Sequence, residues 1–119
     1  MSFELRPEII QRYWPEIMEG IAEAQREFKE VDYIKAPEAI EAQEKALITN
    51  YGAKMCLYLL QALGPDEFMR QFNAGSIREA MKKCVLGAMR LMDRAGGDQY
   101  KFNYMTGLLS RIREYAERY

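Results

Sequence analysis

Histidine is absent from the 119-residue sequence, and its absence decides most questions of catalysis. Histidine is the commonest general base, the usual partner of a nucleophile and the commonest transition-metal ligand. Di-iron helical bundles need Glu-x-x-His motifs on inward faces, and these cannot occur here. No spacing of lysines or carboxylates points to an assisted nucleophile. We therefore predict that the protein is not an enzyme and has neither a metal site nor a cofactor.

The two cysteines, Cys56 and Cys84, lack the Cys-x-x-Cys spacing of zinc and redox motifs. Both fall in an apolar helical context, where a free cysteine behaves as a small hydrophobic residue. We therefore expect two reduced thiols in the core. The start of the chain lacks the apolar stretch of a secretory signal, and the longest apolar run, Met55 to Leu60, is far shorter than a bilayer needs. These features favour a cytoplasmic location without membrane association.

The last helix carries the most informative polar pattern, a face of tyrosines and arginines. At about 100° per residue, this face lies roughly 125° from the apolar seam of the same helix. Tyrosine and arginine are enriched at protein interfaces, whereas solvent-facing strips usually hold lysine, glutamate and small polar residues. The members of this Tyr/Arg face are Tyr100, Tyr104, Arg111, Tyr115 and Arg118. It predicts either a partner-binding surface or a central helix that packs on both sides.

Acidic residues form a ladder along the first long helix, at Glu16, Glu19, Glu23, Glu27 and Glu30. We interpret the ladder as a solvated face, with a docking strip for a basic partner as the alternative. Residues 1–50 hold six basic and eleven acidic groups (net −5), and residues 51–119 hold eleven and seven (net +4). This asymmetry favours an acidic helix packed beside basic later helices within one fold. The alternative is a bipolar surface that drives head-to-tail assembly or orients a partner.

The segment from 67 to 86 has the order of a helix-turn-helix, with a short helix, a turn at Gly75 and a basic helix. That motif wants small or apolar residues on the first helix just before the turn, where this sequence has Arg70 and Gln71. The match is poor, and we favour an ordinary helical connection.

The first helix is predicted from Pro7 to near Val31. Its apolar seam consists of Ile10, Trp14, Ile17, Ile21, Ala24, Phe28 and Val31, at alternating steps of four and three. Pro15 has no N–H to continue the helical ladder, so a kink or short break is expected near Tyr13–Trp14.

The second helix is predicted to begin at Pro37 and to stop at Gly64-Pro65. Its seam is Ile40, Leu47, Tyr51, Met55, Tyr58 and Ala62. The apolar face widens in the second half through Ile48, Leu59, Leu60 and Leu63. That half is therefore expected to be buried on two sides.

The remaining elements are a short helix and two long ones. The short helix should run from Pro65 to about Phe72 and close at Gly75, and a Ser76–Glu79 capping box should start the next helix. The seam of that helix is Ile77, Met81, Cys84, Ala88, Leu91 and Ala95, and Gly96-Gly97 ends it. Asp98 caps the last helix, whose seam is Phe102, Met105, Leu109, Ile112 and Ala116.

Residues 1–119 are thus predicted to form one all-α domain, an up-and-down helical bundle of four main helices plus one short connecting helix. The predicted function is a non-catalytic interaction or assembly subunit that self-associates or binds a protein partner. The alternative is a small nucleic-acid-binding or regulatory subunit that uses the basic, tyrosine-containing C-terminal half. Salt distinguishes the two, because nucleic-acid binding weakens steeply as salt rises.

Overall fold

The computed structural model describes residues 6–28, 38–94 and 105–118, and within these ranges the chain is helical without a strand. The helices are α1 (Pro7–Arg12), α2 (Trp14–Glu27), α3 (Glu38–Leu63), α4 (Pro65–Gln71), α5 (Ile77–Arg94) and α6 (Met105–Arg118). The predicted all-α bundle is confirmed. The caps predicted at Gly96-Gly97 and Asp98 lie outside the described residues.

The first predicted helix is divided in two at Tyr13, as Pro15 led us to expect. Tyr13 has φ −108° and ψ 17°, and α2 begins at the next residue with Pro15 in its first turn. At its other end α2 stops at Glu27, short of the predicted end near Val31. The backbone leaves the helical region at Phe28, which is extended and buries its side chain.

The core is organised around α5. The helices α2, α3, α4 and α6 all pack on it, and every residue from 84 to 89 is buried. The sequence predicted one buried face on this helix, a seam that Val85, Met89 and Met92 extend. Several helices surround α5, however, so that its middle, from residue 84 to 89, is buried on all sides.

α3 and α5 lie antiparallel. The hydroxyl of Thr49, near the middle of α3, meets the sulfur of Met89 at 3.8 Å, and Cys56, further along α3, meets Cys84, which comes earlier in α5. The residue numbers therefore rise in opposite directions along the two helices. Antiparallel packing is the arrangement that the up-and-down prediction requires of them.

α2 runs in the same direction as α5 where they touch. Glu23 pairs with Arg78 and Glu27 pairs with Lys82, so the residue numbers rise together. The helices α2, α3 and α5 therefore alternate in direction, as predicted. Contrary to simple sequential packing, α2 lies mainly against α5 and touches α3 little.

Two glycines allow helices to approach α5 closely. A Cβ built at Gly20 of α2 would lie 2.6 Å from the carbonyl oxygen of Arg78 and 2.8 Å from the Cβ of Met81. A Cβ at Gly87 of α5 would lie 3.0 Å from the Cβ of Ala116 in α6. The atom added at Gly87 would also overlap the carbonyl oxygen of Ile112. All these contacts are too short for a relaxed packing, so glycine is required at each helix crossing.

α4 ends at a left-handed residue that we did not predict. Asn73 has φ 49° and its N–H donates to the carbonyl of Arg70 at 3.1 Å, while the N–H of Ala74 donates to the carbonyl of Met69 at 2.9 Å. This is the Schellman pattern of a helix C-terminus. The prediction that Gly75 closes the helix was wrong, because asparagine tolerates the left-handed conformation and occupies the closing position.

α5 begins at a cap close to the predicted one. The Oγ of Ser76 accepts a hydrogen bond from the N–H of Glu79 at 3.1 Å, as expected. The Glu79 carboxylate accepts from the N–H of Gly75 at 3.0 Å, one residue before the donor of a standard capping box. Both side chains therefore fix the turn between α4 and α5.

Candidate interaction surface

The cysteines correct one prediction from the sequence. Cys56 and Cys84 are fully buried, as expected, but they form a disulfide that joins α3 to α5 with a Cα–Cα distance of 6.0 Å. Sequence spacing did not reveal the pair because the two residues meet only when the helices fold back on each other. Disulfides persist mainly in oxidising compartments, so the bond weighs against the argument from reduced thiols for a cytoplasmic location.

In the described ranges, no three His, Cys, Asp or Glu side chains come together in a group that could hold a metal ion. The helices of the same ranges include none with the length and apolar character needed to cross a membrane.

The Tyr/Arg face is described only in part. Tyr100 and Tyr104 lie outside the described residues, as does the side chain of Arg118, whose backbone ends α6. Arg111 is exposed, whereas Tyr115 is half-buried and packs against the core. The two side chains of this face that the structure describes therefore differ in burial. Tyr115 agrees with the alternative prediction, in which the helix packs on a second side.

The burial of Leu108 explains why Tyr115 is half-buried. Leu108 was not in the predicted seam, yet it is buried along with Ile112. At about 100° per residue, burial of Leu108 moves the centre of the buried face towards Tyr115. The guanidinium of Arg90 in α5 donates to the carbonyls of Tyr115 and Ala116 at 3.3 and 3.4 Å, which satisfies free carbonyls at the end of α6. Partial burial of this guanidinium lowers the pKa of Arg90.

Part of the acidic ladder forms ion pairs with another helix of the same chain. Glu23 accepts from the guanidinium of Arg78 at 2.7 and 2.9 Å, and Glu27 lies 2.6 Å from the Nζ of Lys82. The charge asymmetry was interpreted as an acidic helix packed beside basic ones, and this interpretation is correct for Glu23 and Glu27. Two earlier rungs, Glu16 and Glu19, are exposed as the solvated-face interpretation requires, and Glu30 lies outside the described residues.

The basic residues in the first half of α5 are paired within the chain. Arg78 and Lys82 face the α2 carboxylates, and the Nζ of Lys83 donates to the carbonyls of Phe72 and Asn73 at 3.3 and 3.2 Å. A recognition helix must lie in the major groove with its side chains free to reach bases. Because α5 is the central helix, it cannot enter a groove, and the ordinary connection predicted between α4 and α5 is the better description.

Large apolar side chains are exposed on two helices. Trp14 and Met18 in α2 are 49% and 45% exposed, and Tyr58 in α3 is 50% exposed. We predicted Trp14 and Tyr58 as seam residues, and both assignments were wrong. Trp14 lies at the start of α2, beyond the buried stretch that begins at Ile17, so α5 does not cover it.

α3 is apolar around much of its circumference, and α5 covers only one part. The covered face holds Gly52 and Cys56, and a Cβ built at Gly52 would lie 3.5 Å from the Cβ of Ala88 and from the carbonyl oxygen of Val85 in α5. At about 100° per residue, Tyr51 and Tyr58 point some 130° away from that face. The prediction that the second half of α3 is buried on two sides was therefore wrong at Tyr58, whereas Tyr51 is half-buried.

Two surface patches result, one on each helix. The α2 patch consists of Trp14 and Met18, and at about 100° per residue the exposed Glu16 and Glu19 lie more than 100° round the helix from it. The α3 patch consists of Tyr51, which is half-buried, and Tyr58.

The α3 patch has a positive neighbour. Lys54 is exposed, and its Nζ lies 6.0 Å from the centre of the Tyr51 ring. An ammonium at this distance from an aromatic face is weakly attracted to it. The α3 patch is thus aromatic and edged by a positive charge, whereas the α2 patch is apolar.

Comparisons with family models, with curated proteins and with solved structures found no match to the chain. The class defined by the structure is an all-α helical bundle with a disulfide between α3 and α5, and the function is argued from its surfaces.

Proposed function

We propose that the protein is a non-catalytic assembly subunit that binds a second copy of itself. The observation that carries this proposal is the exposure of Trp14, Met18 and Tyr58 on regular, well-packed helices. Tryptophan, tyrosine and methionine are enriched at protein interfaces, and truncation of tryptophan or tyrosine there often costs most of the binding energy. About half of the surface of each of these residues remains available to a partner.

Two complementary patches on one chain support a second copy as the occupant. The α2 patch of one copy offers the exposed Trp14 ring, and the α3 patch of another has an aromatic ring and the ammonium of Lys54, which can lie against that ring. Such a contact joins two different surfaces, so it closes into a two-fold dimer if both contacts form at once, or propagates as a head-to-tail chain. The attraction of an ammonium for the face of a tryptophan ring favours this register over a patch meeting its own copy.

The test compares three substitutions that each add one positive charge at an exposed helical position. Trp14→Lys and Tyr58→Lys should each weaken self-association at least about tenfold, because each removes a large apolar contact. Ser110→Lys on α6 is the matched control and should leave it unchanged. Sedimentation velocity over a range of concentrations measures the effect. A wild-type chain that remains monomeric at all concentrations contradicts the proposal.

Mixing the variants tests which surfaces meet. A Tyr58→Lys chain retains its α2 patch, and a Trp14→Lys chain retains its α3 patch. If these patches bind each other, an equimolar mixture should associate more tightly than either variant alone. If mixing does not restore association, then either each patch meets its own copy or another surface forms the contact.

The alternative, a nucleic-acid-binding subunit, is tested on the same samples by anisotropy of single-stranded and double-stranded oligonucleotides. Backbone binding should fall steeply between low and moderate salt, whereas the apolar contact should respond weakly. The pairing of Arg78 and Lys82 with α2 carboxylates makes fewer cations of α5 available for phosphates. Tight, salt-sensitive oligonucleotide binding by a monomer would replace the assembly proposal.

A further inference from the structure

The disulfide between Cys56 and Cys84 lies within the buried contact between α3 and α5. Both cysteines are fully buried, and one turn before Cys56 the backbone of Gly52 admits Ala88 of α5. The Cα–Cα distance of 6.0 Å is within the usual range for a bridge between two elements that are already packed.

We propose that this disulfide is a redox latch whose reduction lowers the stability of the fold. Reductants reach it only when α3 separates from α5. Reduction by a dithiol begins when its thiolate attacks one cysteine sulfur and the other leaves as a thiolate. The second thiol of the reductant then displaces the remaining sulfur. The reductant becomes a cyclic disulfide, and its two protons end on Cys56 and Cys84.

Burial controls the first of these steps. The attacking thiolate must approach along the line of the sulfur–sulfur bond, and each sulfur is enclosed by the core between α3 and α5. A charged thiolate is also poorly solvated in such surroundings. The folded chain is therefore protected, and the rate of reduction is set by how often the two helices open.

The reduced chain keeps the same fold. Two thiols are small apolar groups that fit the space of the disulfide with little change. The remaining contacts between these helices, such as that of Thr49 with Met89, do not depend on the bond. Reduction therefore removes a constraint on the unfolded chain, which contributes most of the stabilisation in the chain-entropy description, and leaves the helices in place.

The first experiment follows reduction by dithiothreitol, with alkylation by iodoacetamide and counting of modified cysteines by mass. In native buffer the rate should be at least about 100-fold lower than in denaturing guanidinium chloride, because reduction waits for opening. Low, non-denaturing urea should raise the native rate progressively. Equal rates in folded and denatured chains would overturn the protection, and two free thiols in the chain after oxidative refolding would overturn the bond itself.

The second experiment separates stability from shape. Reduction should lower Tm by at least about 5 °C while the far-ultraviolet circular dichroism below the transition stays the same. Cys56→Ala with Cys84→Ala is the control, and its Tm should not respond to dithiothreitol. An unchanged Tm on reduction, or loss of helix at low temperature, would overturn the latch.

Discussion

Gly20 of α2 lies directly against Met81 of α5, and a Cβ at Gly20 would be only 2.8 Å from the Cβ of Met81. The same added atom would lie 2.6 Å from the carbonyl oxygen of Arg78, which is backbone and cannot rotate away. The distance between α2 and α5 is thus set by the absence of one side chain. The neighbouring pairs Glu23–Arg78 and Glu27–Lys82 depend on that distance.

The first prediction concerns this crossing. Gly20→Ala should destabilise the domain by about 1–3 kcal/mol, because the helices must separate to admit the methyl group. Gly107→Ala is the control, since a Cβ there meets nothing within 4 Å, and it should stabilise α6 by about 0.5–1 kcal/mol. Urea unfolding measures both. A neutral Gly20→Ala would show that α2 is not held this close to α5.

The second prediction concerns the start of α5. Ser76→Ala removes the acceptor for the Glu79 N–H and should cost about 1 kcal/mol of unfolding free energy. Ser110→Ala, at an exposed position within α6, should be neutral or slightly stabilising because alanine is the better helix former. If both substitutions have the same effect on the urea midpoint, the Ser76 cap contributes nothing.

The third prediction is a pH dependence. The pKa of Glu79 is lowered, first by the hydrogen bond from the Gly75 N–H and further by the charge of Lys83. A carboxyl with a lowered folded-state pKa contributes stability that is fully present above the unfolded pKa of about 4.3 and is lost as pH falls through the folded pKa. Glu79→Gln should therefore lower stability at neutral pH and make the loss on acidification smaller. Urea midpoints between neutral and acidic pH measure it, and an unchanged pH profile would contradict the assignment.

The fourth prediction concerns the pair between α2 and α5. A double-mutant cycle of Glu23→Ala and Arg78→Ala should give a coupling of at most about 1 kcal/mol, because both side chains are partly exposed. High salt should reduce the coupling. Glu16→Ala with Arg78→Ala is the control and should be additive. Equal coupling in both cycles would mean that only general charge, and not this contact, is measured.

The fifth prediction concerns the Tyr/Arg face. Tyr115→Ala should destabilise the domain by about 1–2 kcal/mol because the ring packs on the core, whereas Arg111→Ala should stay within about 0.5 kcal/mol. Tyr104→Ala tests the interface prediction for this face, which expects association to weaken by about 2 kcal/mol. Thermal melts and sedimentation separate the two effects. Normal association with Tyr104→Ala would remove this face from the interface.

Structural features that depend on residues within a single helical turn were predicted from the sequence. The break at Tyr13 follows from the missing N–H of Pro15, and the start of α5 follows from the Ser76 side chain. Both depend on groups three or four residues apart in the chain. The exception was the end of α4, where Asn73 and Gly75 were both acceptable and only the backbone showed which one is left-handed.

The choice of buried face was decided by tertiary structure. α3 is apolar on more than one side, so its sequence allowed either the Tyr51–Tyr58 face or the Gly52–Cys56 face to meet a neighbour. α5 packs on the Gly52–Cys56 face, which leaves Tyr58 exposed and brings Cys56 to Cys84. Where helices begin and break could be predicted from the sequence, because hydrogen bonding along the chain is local. Which of their faces pair, and so which aromatic side chains remain for a partner, depended on contacts between residues far apart in sequence, whose close packing no local pattern encodes.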